Sequence, residues 1–194
     1  MAAFLESWFE YFPDAPPVSH ALRTAFPNRW LRVHSLPGSK RYADTPAEYE
    51  IVLGRQNQLL DELIGRGNTF QLAYLPVEEN DICFENYERV YSAMGPWQES
   101  TFKYESHFRS IGEESVLQGR KLRHRPMTWQ NGWLDYVFKA IADDEIRALM
   151  VNMEARRVIA PYDGGVDIIA ANRIERDTLK KRYSDWLSAH PKGL

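Results

Sequence analysis

Residues able to do chemistry gather in two short stretches of this chain. The first is RVHSLPGSKRY, residues 32–42, which sets His34, Ser35, Ser39, Lys40, Arg41 and Tyr42 within nine residues. Lys40 and Arg41 can hold a phosphate or carboxylate, with Ser39 and the Gly38 amide as further donors. His34 can serve as a base at neutral pH. The spacing is not that of a phosphate-binding loop, which needs a second glycine and a lysine that opens a helix with Ser or Thr. His34 and Ser35 are adjacent on an apparent strand, so they point to opposite faces and make poor partners. The Pro37-Gly38 pair is a strong turn signal and explains much of the composition without any chemistry.

The second stretch is YDGGVD, residues 162–167. Asp163 and Asp167 can bind a divalent cation or act as acid and base. The oxygen-rich continuation of a calcium loop is missing, and Asp163-Gly164 is a common hairpin turn. Asp167 lies within an apolar strand. If its face is buried it needs a counter-charge, and Arg32 and Arg41 are the natural choices. A turn with a buried ion pair is therefore expected here. A hydrolase or phosphate-handling enzyme is the competing reading. It requires His34, Arg41, Asp163 and Asp167 to converge in one pocket.

Other candidates are weaker. The run RKLRHR, residues 120–125, is basic but lacks interleaved stacking aromatics, and the chain carries a net charge of −3. It reads as a solvated loop, and nucleic acid is not an expected partner. The histidines, His20, His34, His107, His124 and His190, show no metal-ligand spacing, and no serine sits in G-x-S-x-G. Cys83 is the single cysteine, which excludes an internal disulfide framework and a thiolate metal cage. A buried thiol is its expected state. Neither a metal nor a cofactor is expected.

The elements that position these residues follow from periodicity. Residues 3–12 pattern as a short aromatic helix ended by Pro13, Pro16 and Pro17, and 18–26 as a second short helix. Residues 28–35 alternate as a half-buried strand, with Trp30, Arg32 and His34 on one face. Thr45, Pro46 and Glu48 form a capping box that opens a helix with Tyr49, Val52, Leu53, Leu59, Leu60 and Leu63 at helical spacing. Gly65 and Gly67 end it. Strands are expected at 70–76, 87–94, 100–108, 146–152, 158–162 and 166–170, and a loop with the composition of a mobile segment at 109–125. A helix from Asn131 should bury Trp133, Val137, Ala140 and Ile141. A last one, capped by Asn172 and Glu175, should bury Leu179, Tyr183, Trp186 and Leu187.

With 194 residues, the chain suits one domain. The pattern predicts an α+β fold: an antiparallel or mixed sheet of about five to six strands with a C-terminal meander, and helices packed on one face. No stretch has the length of a membrane span, and the N-terminus lacks the basic and apolar regions of a signal peptide. A reducing, cytoplasmic setting is expected.

Two sets of residues together resemble a bacterial family described only as a domain of unknown function. One set is 30–42 (WLRVHSLPGSKRY) with Tyr49 and 55–57 (RQN). The other is 160–169 (APYDGGVDII) with 183–187 (YSDWL) and 190–194 (HPKGL). The segment 80–125 carries none of the resemblance. The likeness implies an α+β fold and a bacterial, cytoplasmic protein, and it brings no activity, cofactor or catalytic residue. Small bacterial proteins of this sort include toxin-neutralising immunity proteins. The expectation is a non-catalytic binding protein, with a protein partner, whose contact residues are His34, Lys40, Arg41, Tyr42, Asp163 and Asp167.

Overall fold

The computed structural model describes residues 4–77, 81–82, 84–102 and 117–188. Within them, strict alternation of side chains builds one seven-stranded sheet, in the order β1-β7-β6-β5-β2-β4-β3. The strands are β1 (Trp30–His34), β2 (Thr69–Tyr74), β3 (Gln98–Thr101), β4 (Lys121–Thr128), β5 (Leu149–Asn152), β6 (Arg157–Tyr162) and β7 (Gly165–Ile169). Every neighbouring pair is antiparallel. Strands β5, β6 and β7 form the expected C-terminal meander. Strand β1 then pairs with β7, so the two chemistry-bearing stretches of the sequence lie side by side.

Alternation sends apolar side chains to both faces. Leu31, Val33, Leu72, Met150, Ile159 and Ile168 enter one cluster, under α3 (Pro46–Leu63), α4 (Phe84–Tyr91), α5 (Asp135–Ala142) and α6 (Arg173–Arg182). Ala73, Leu149, Val151, Val158, Ala160 and Ile169 enter the other, under α1 (Phe4–Tyr11) and α2 (Ser19–Ala25). The α+β class is as expected. The strand count is seven rather than five to six, and helices cover both faces rather than one. The reason is that the central strands are apolar on both sides, so each face must be covered.

The capping box of α3 forms as the sequence implies. Thr45 Oγ1 accepts from the Glu48 amide at 3.3 Å, and Glu48 Oε2 accepts from the Thr45 amide at 3.2 Å. Gly65 and Gly67 follow the helix with φ of 85° and 80°, a region costly for other residues. Asn172 caps α6 in the same manner, accepting from the Glu175 amide at 3.0 Å.

Two segments differ from expectation. Residues 84–91 are helix, not strand, because Tyr87, Val90 and Tyr91 recur at helical spacing and all three are buried. Residues 121–128 are strand, not loop. Of the strand expected at 100–108, β3 occupies 98–101, and 103–108 lie outside the described residues, as do 109–116, Cys83, His107 and His190. Trp133 is not buried by α5; it stands 55% exposed while Val137, Ala140 and Ile141 pack inward. Among the described residues, no helix is long and apolar enough to cross a membrane.

Candidate functional site

The antiparallel register places Arg32 directly opposite Asp167. Arg32 Nε reaches Asp167 Oδ1 at 2.7 Å and Nη2 reaches Oδ2 at 2.9 Å, a two-pronged ion pair. Asp167 is buried, and the Arg32 guanidinium lies 4.8 Å from the Tyr162 ring centre and 5.6 Å from that of Trp30. The bond to Asp167 raises the Arg32 pKa above its ordinary value. Burial, first of all, pushes the Tyr162 hydroxyl up to about 12. The sequence argument that Asp167 needs an arginine is met by Arg32, not Arg41.

Arg41 takes the other aspartate. Its Nε stands 2.5 Å from Oδ2 of Asp163, which is buried, while Oδ1 accepts from the Gly164 amide at 3.0 Å. Interaction with the same carboxylate, first of all, raises the Tyr42 hydroxyl pKa. The backbone closes on itself here. The Ser35 amide donates to the Gly164 carbonyl at 3.1 Å, and a Cβ on Gly165 would stand 2.2 Å from the Val33 carbonyl oxygen. Only glycine permits so near an approach of β7 to β1. The loop itself turns through Gly38 and Ser39, with φ of 66° and 59°.

Lys40 faces the start of α3, with Nζ 2.5 Å from Glu48 Oε1 and 2.8 Å from Asp44 Oδ2. The Lys40 bond, followed by the Asp44 amide, lowers the Glu48 pKa to about 2. His34 sits at the end of β1, where burial is the main cause of a lowered pKa and contact with the Gly164 backbone opposes it. Its Nε2 is buried with no hydrogen-bond partner among the described residues.

The six predicted contact residues thus do gather around the β1–β7 junction and the start of α3. The four that a hydrolase would need do not form a reacting set. Arg41 and Asp163 neutralise each other, Asp167 is held by Arg32, and none of the three main cavities is lined by any of the four. What the arrangement does chemically is to fasten residues 32–42 to residues 162–167. It leaves one pair presented outward: Arg41 has 63% of its side chain exposed, Tyr42 is 44% exposed, and the guanidinium lies 5.1 Å from the Tyr42 ring centre.

Two cations of the basic run at 120–125 are spent within the sheet. Lys121 and Arg123 pair with Glu99 across the β3–β4 ladder, at 2.9 Å and 3.3 Å, while Leu122 and His124 point inward. Buried His124 Nε2 lies 3.1 Å from Ser100 Oγ, a contact the sequence reading missed. The alternation within KLRHR was the available signal for the inward-facing histidine, though not for its partner. The ring stacks on Phe4 at 4.8 Å, its Nδ1 has no partner among the described residues, and burial lowers its pKa. Among the described residues no acid orients the ring, so this pair links strands rather than activating a nucleophile. Among the described residues, no three His, Cys, Asp or Glu side chains cluster as metal ligands do.

A separate cavity of about 200 Å³ crosses the strand ends where β2 stops and β5 begins. Val18, Ala73, Leu75 and Leu149 give it an apolar lining, and Arg120 and Arg147 stand at it.

Over residues 18–191 the sequence matches the family described as Domain of unknown function (DUF3885), and the chain belongs to that family. The match takes in the segment 80–125. No curated protein and no solved structure matches the chain.

Proposed function

We propose, taking membership of that family as the premise, that the chain is a non-catalytic binding protein that engages another protein through the face built on Arg41 and Tyr42. One observation carries this reading: an exposed, stacked Arg–Tyr pair is anchored from beneath on the buried carboxylate of Asp163. Arginine and tyrosine are over-represented among residues that dominate binding energy at interfaces. A side chain already fixed in place loses less conformational freedom when a partner docks. His34, Lys40, Asp163 and Asp167 then support the contact by holding the loop in shape. The setting we attach to it is the bacterial cytoplasm, and the role is neutralisation of a toxin. The internal pairing of Arg41 with Asp163 and of Arg32 with Asp167 argues against the hydrolase alternative.

The test is affinity capture by the wild-type chain and by Tyr42→Ala, which spares the Arg41–Asp163 bond. A partner held by the first and lost by the second, at equal thermal midpoints, supports the reading. Equal capture by both overturns it. So does hydrolysis of a phosphate or carboxylic ester that disappears in His34→Ala. A toxin gene adjacent to the coding sequence would support the narrower role.

A further inference from the structure

We infer that the cavity at the strand ends of β2 and β5 is a binding site for a small organic carboxylate with a compact apolar body. It lies apart from the Arg41–Tyr42 face, and the inference does not rest on that face having a partner. The cavity is a slot between the two helical layers. Val18, just ahead of α2, Tyr87 of α4, Ala73, Leu75 and Leu149 are among the residues that line it.

The charges around this slot are one-sided. Arg120 and Arg147 line it, and no carboxylate does among the described residues. Arg147 is already engaged, donating to Asp144 and to the Ile146 carbonyl. Arg120 is half-buried, and its one side-chain hydrogen bond among the described residues runs from Nη2 to the Pro76 carbonyl. It has no ion-pair partner there. A guanidinium drawn partly out of water gains most from an anion that accepts from its remaining donors. That fixes the polar end of the ligand.

Size and lining fix the other end. A cavity of about 150 Å³ lined by aliphatic groups accepts a benzene ring. The slot, at about 200 Å³, admits a ring or a branched chain of similar bulk with its carboxylate turned to Arg120. An inorganic anion would leave the apolar part of the lining without a contact. An extended acidic peptide would not fit beyond one side chain.

Benzoate, benzyl alcohol and benzylamine are suitable probes, being alike in bulk and different in charge. Titrated into the full-length chain and followed by amide chemical shifts, benzoate should move Ala73, Leu75, Ala148 and Leu149. It should bind about tenfold or more tightly than benzyl alcohol, as expected for a charge-assisted contact. Benzylamine should not bind. Arg120→Gln should erase the preference for benzoate, and Arg120→Lys should restore part of it. Leu75→Trp, which fills the slot and leaves the charge untouched, should abolish binding of all three and serves if Arg120→Gln does not fold. Equal binding of benzoate and benzyl alcohol, shifts confined to residues away from the slot, or unaltered benzoate binding in a folded Arg120→Gln or Leu75→Trp chain would overturn the inference.

Discussion

At the scale of single residues, the ion pair between Arg32 and Asp167 is where stability should be most sensitive. Both side chains are largely withdrawn from water, so removing one strands the other's charge. Arg32→Ala should cost about 3 kcal/mol in denaturant unfolding. Arg32→Met with Asp167→Leu should recover most of it, because an apolar pair of similar volume strands nothing. A single variant as stable as wild type would remove the pair from the account of the fold. Glu48 makes a prediction of different kind. Its folded pKa is depressed to about 2, chiefly by Lys40. A depressed carboxyl adds stability above its ordinary value of about 4.3, and that part is lost as pH falls through the interval down to the folded value. Between about pH 5 and pH 2 the wild-type unfolding midpoint should therefore fall further than that of Glu48→Gln. Added salt should narrow the difference, since the pair is exposed. Parallel acid limbs for the two chains would refute the coupling. These residues differ in how far the sequence revealed them. Asp167 inside an apolar strand demanded a cation by its burial alone. Which arginine met it depended on the β1–β7 register, which periodicity does not supply. The contact of Ser100 with His124 was hidden for the same reason, because it exists only once β3 and β4 are paired.

At the scale of elements, the close approach of β1 to β7 decides whether residues 32–42 and residues 162–167 meet at all. Gly165 and Gly164 offer a controlled comparison. A methyl at Gly165 would collide with the Val33 carbonyl, which belongs to the backbone and cannot rotate aside. A methyl at Gly164 would meet Tyr162 Cε2 at 3.1 Å and Arg41 Cγ at 3.4 Å, which belong to side chains that can give. Gly165→Ala should cost about 3 kcal/mol and Gly164→Ala less than about 1 kcal/mol by thermal unfolding. Equal losses would mean that β1 has room to shift. Helix α3 was legible because its cap, its proline and its stop are local signals written in adjacent residues. Helix α4 was misread because Tyr87, Val90 and Tyr91 favour strands by type while their spacing of three and four is helical. Strand β4 was misread because its basic residues look solvated until Glu99 of β3 stands beside them. Residue type misled where the local spacing decided, and charge misled where the deciding partner was distant in sequence.

At the scale of the whole molecule, the two-sided sheet sets a condition that no single element reveals. The family match begins at residue 18, yet Phe4, Leu5, Trp8, Phe12 and Ala15 all lie ahead of it and are buried in the second apolar cluster. Trp8 is fully buried, its indole N–H donates to the Ala15 carbonyl at 2.6 Å, and its ring stacks on Phe12 at 4.6 Å. Phe4 covers His124. Helix α1 is thus the lid over β3 and β4 on that face, and the matched segment alone would leave their inward side chains in water. A chain beginning at residue 18 should unfold at a lower temperature and bind a hydrophobic dye that the full chain does not bind, as expected of an uncovered apolar patch. Leu122 and Ala73 should lose amide protection more than Leu31 and Ile159, whose cover of α3 to α6 is intact. Uniform loss of protection across the sheet would show instead that its two faces melt as one unit. An unchanged midpoint without dye binding would show that the second cluster closes without the N-terminal helix, and α1 would then be free for another purpose.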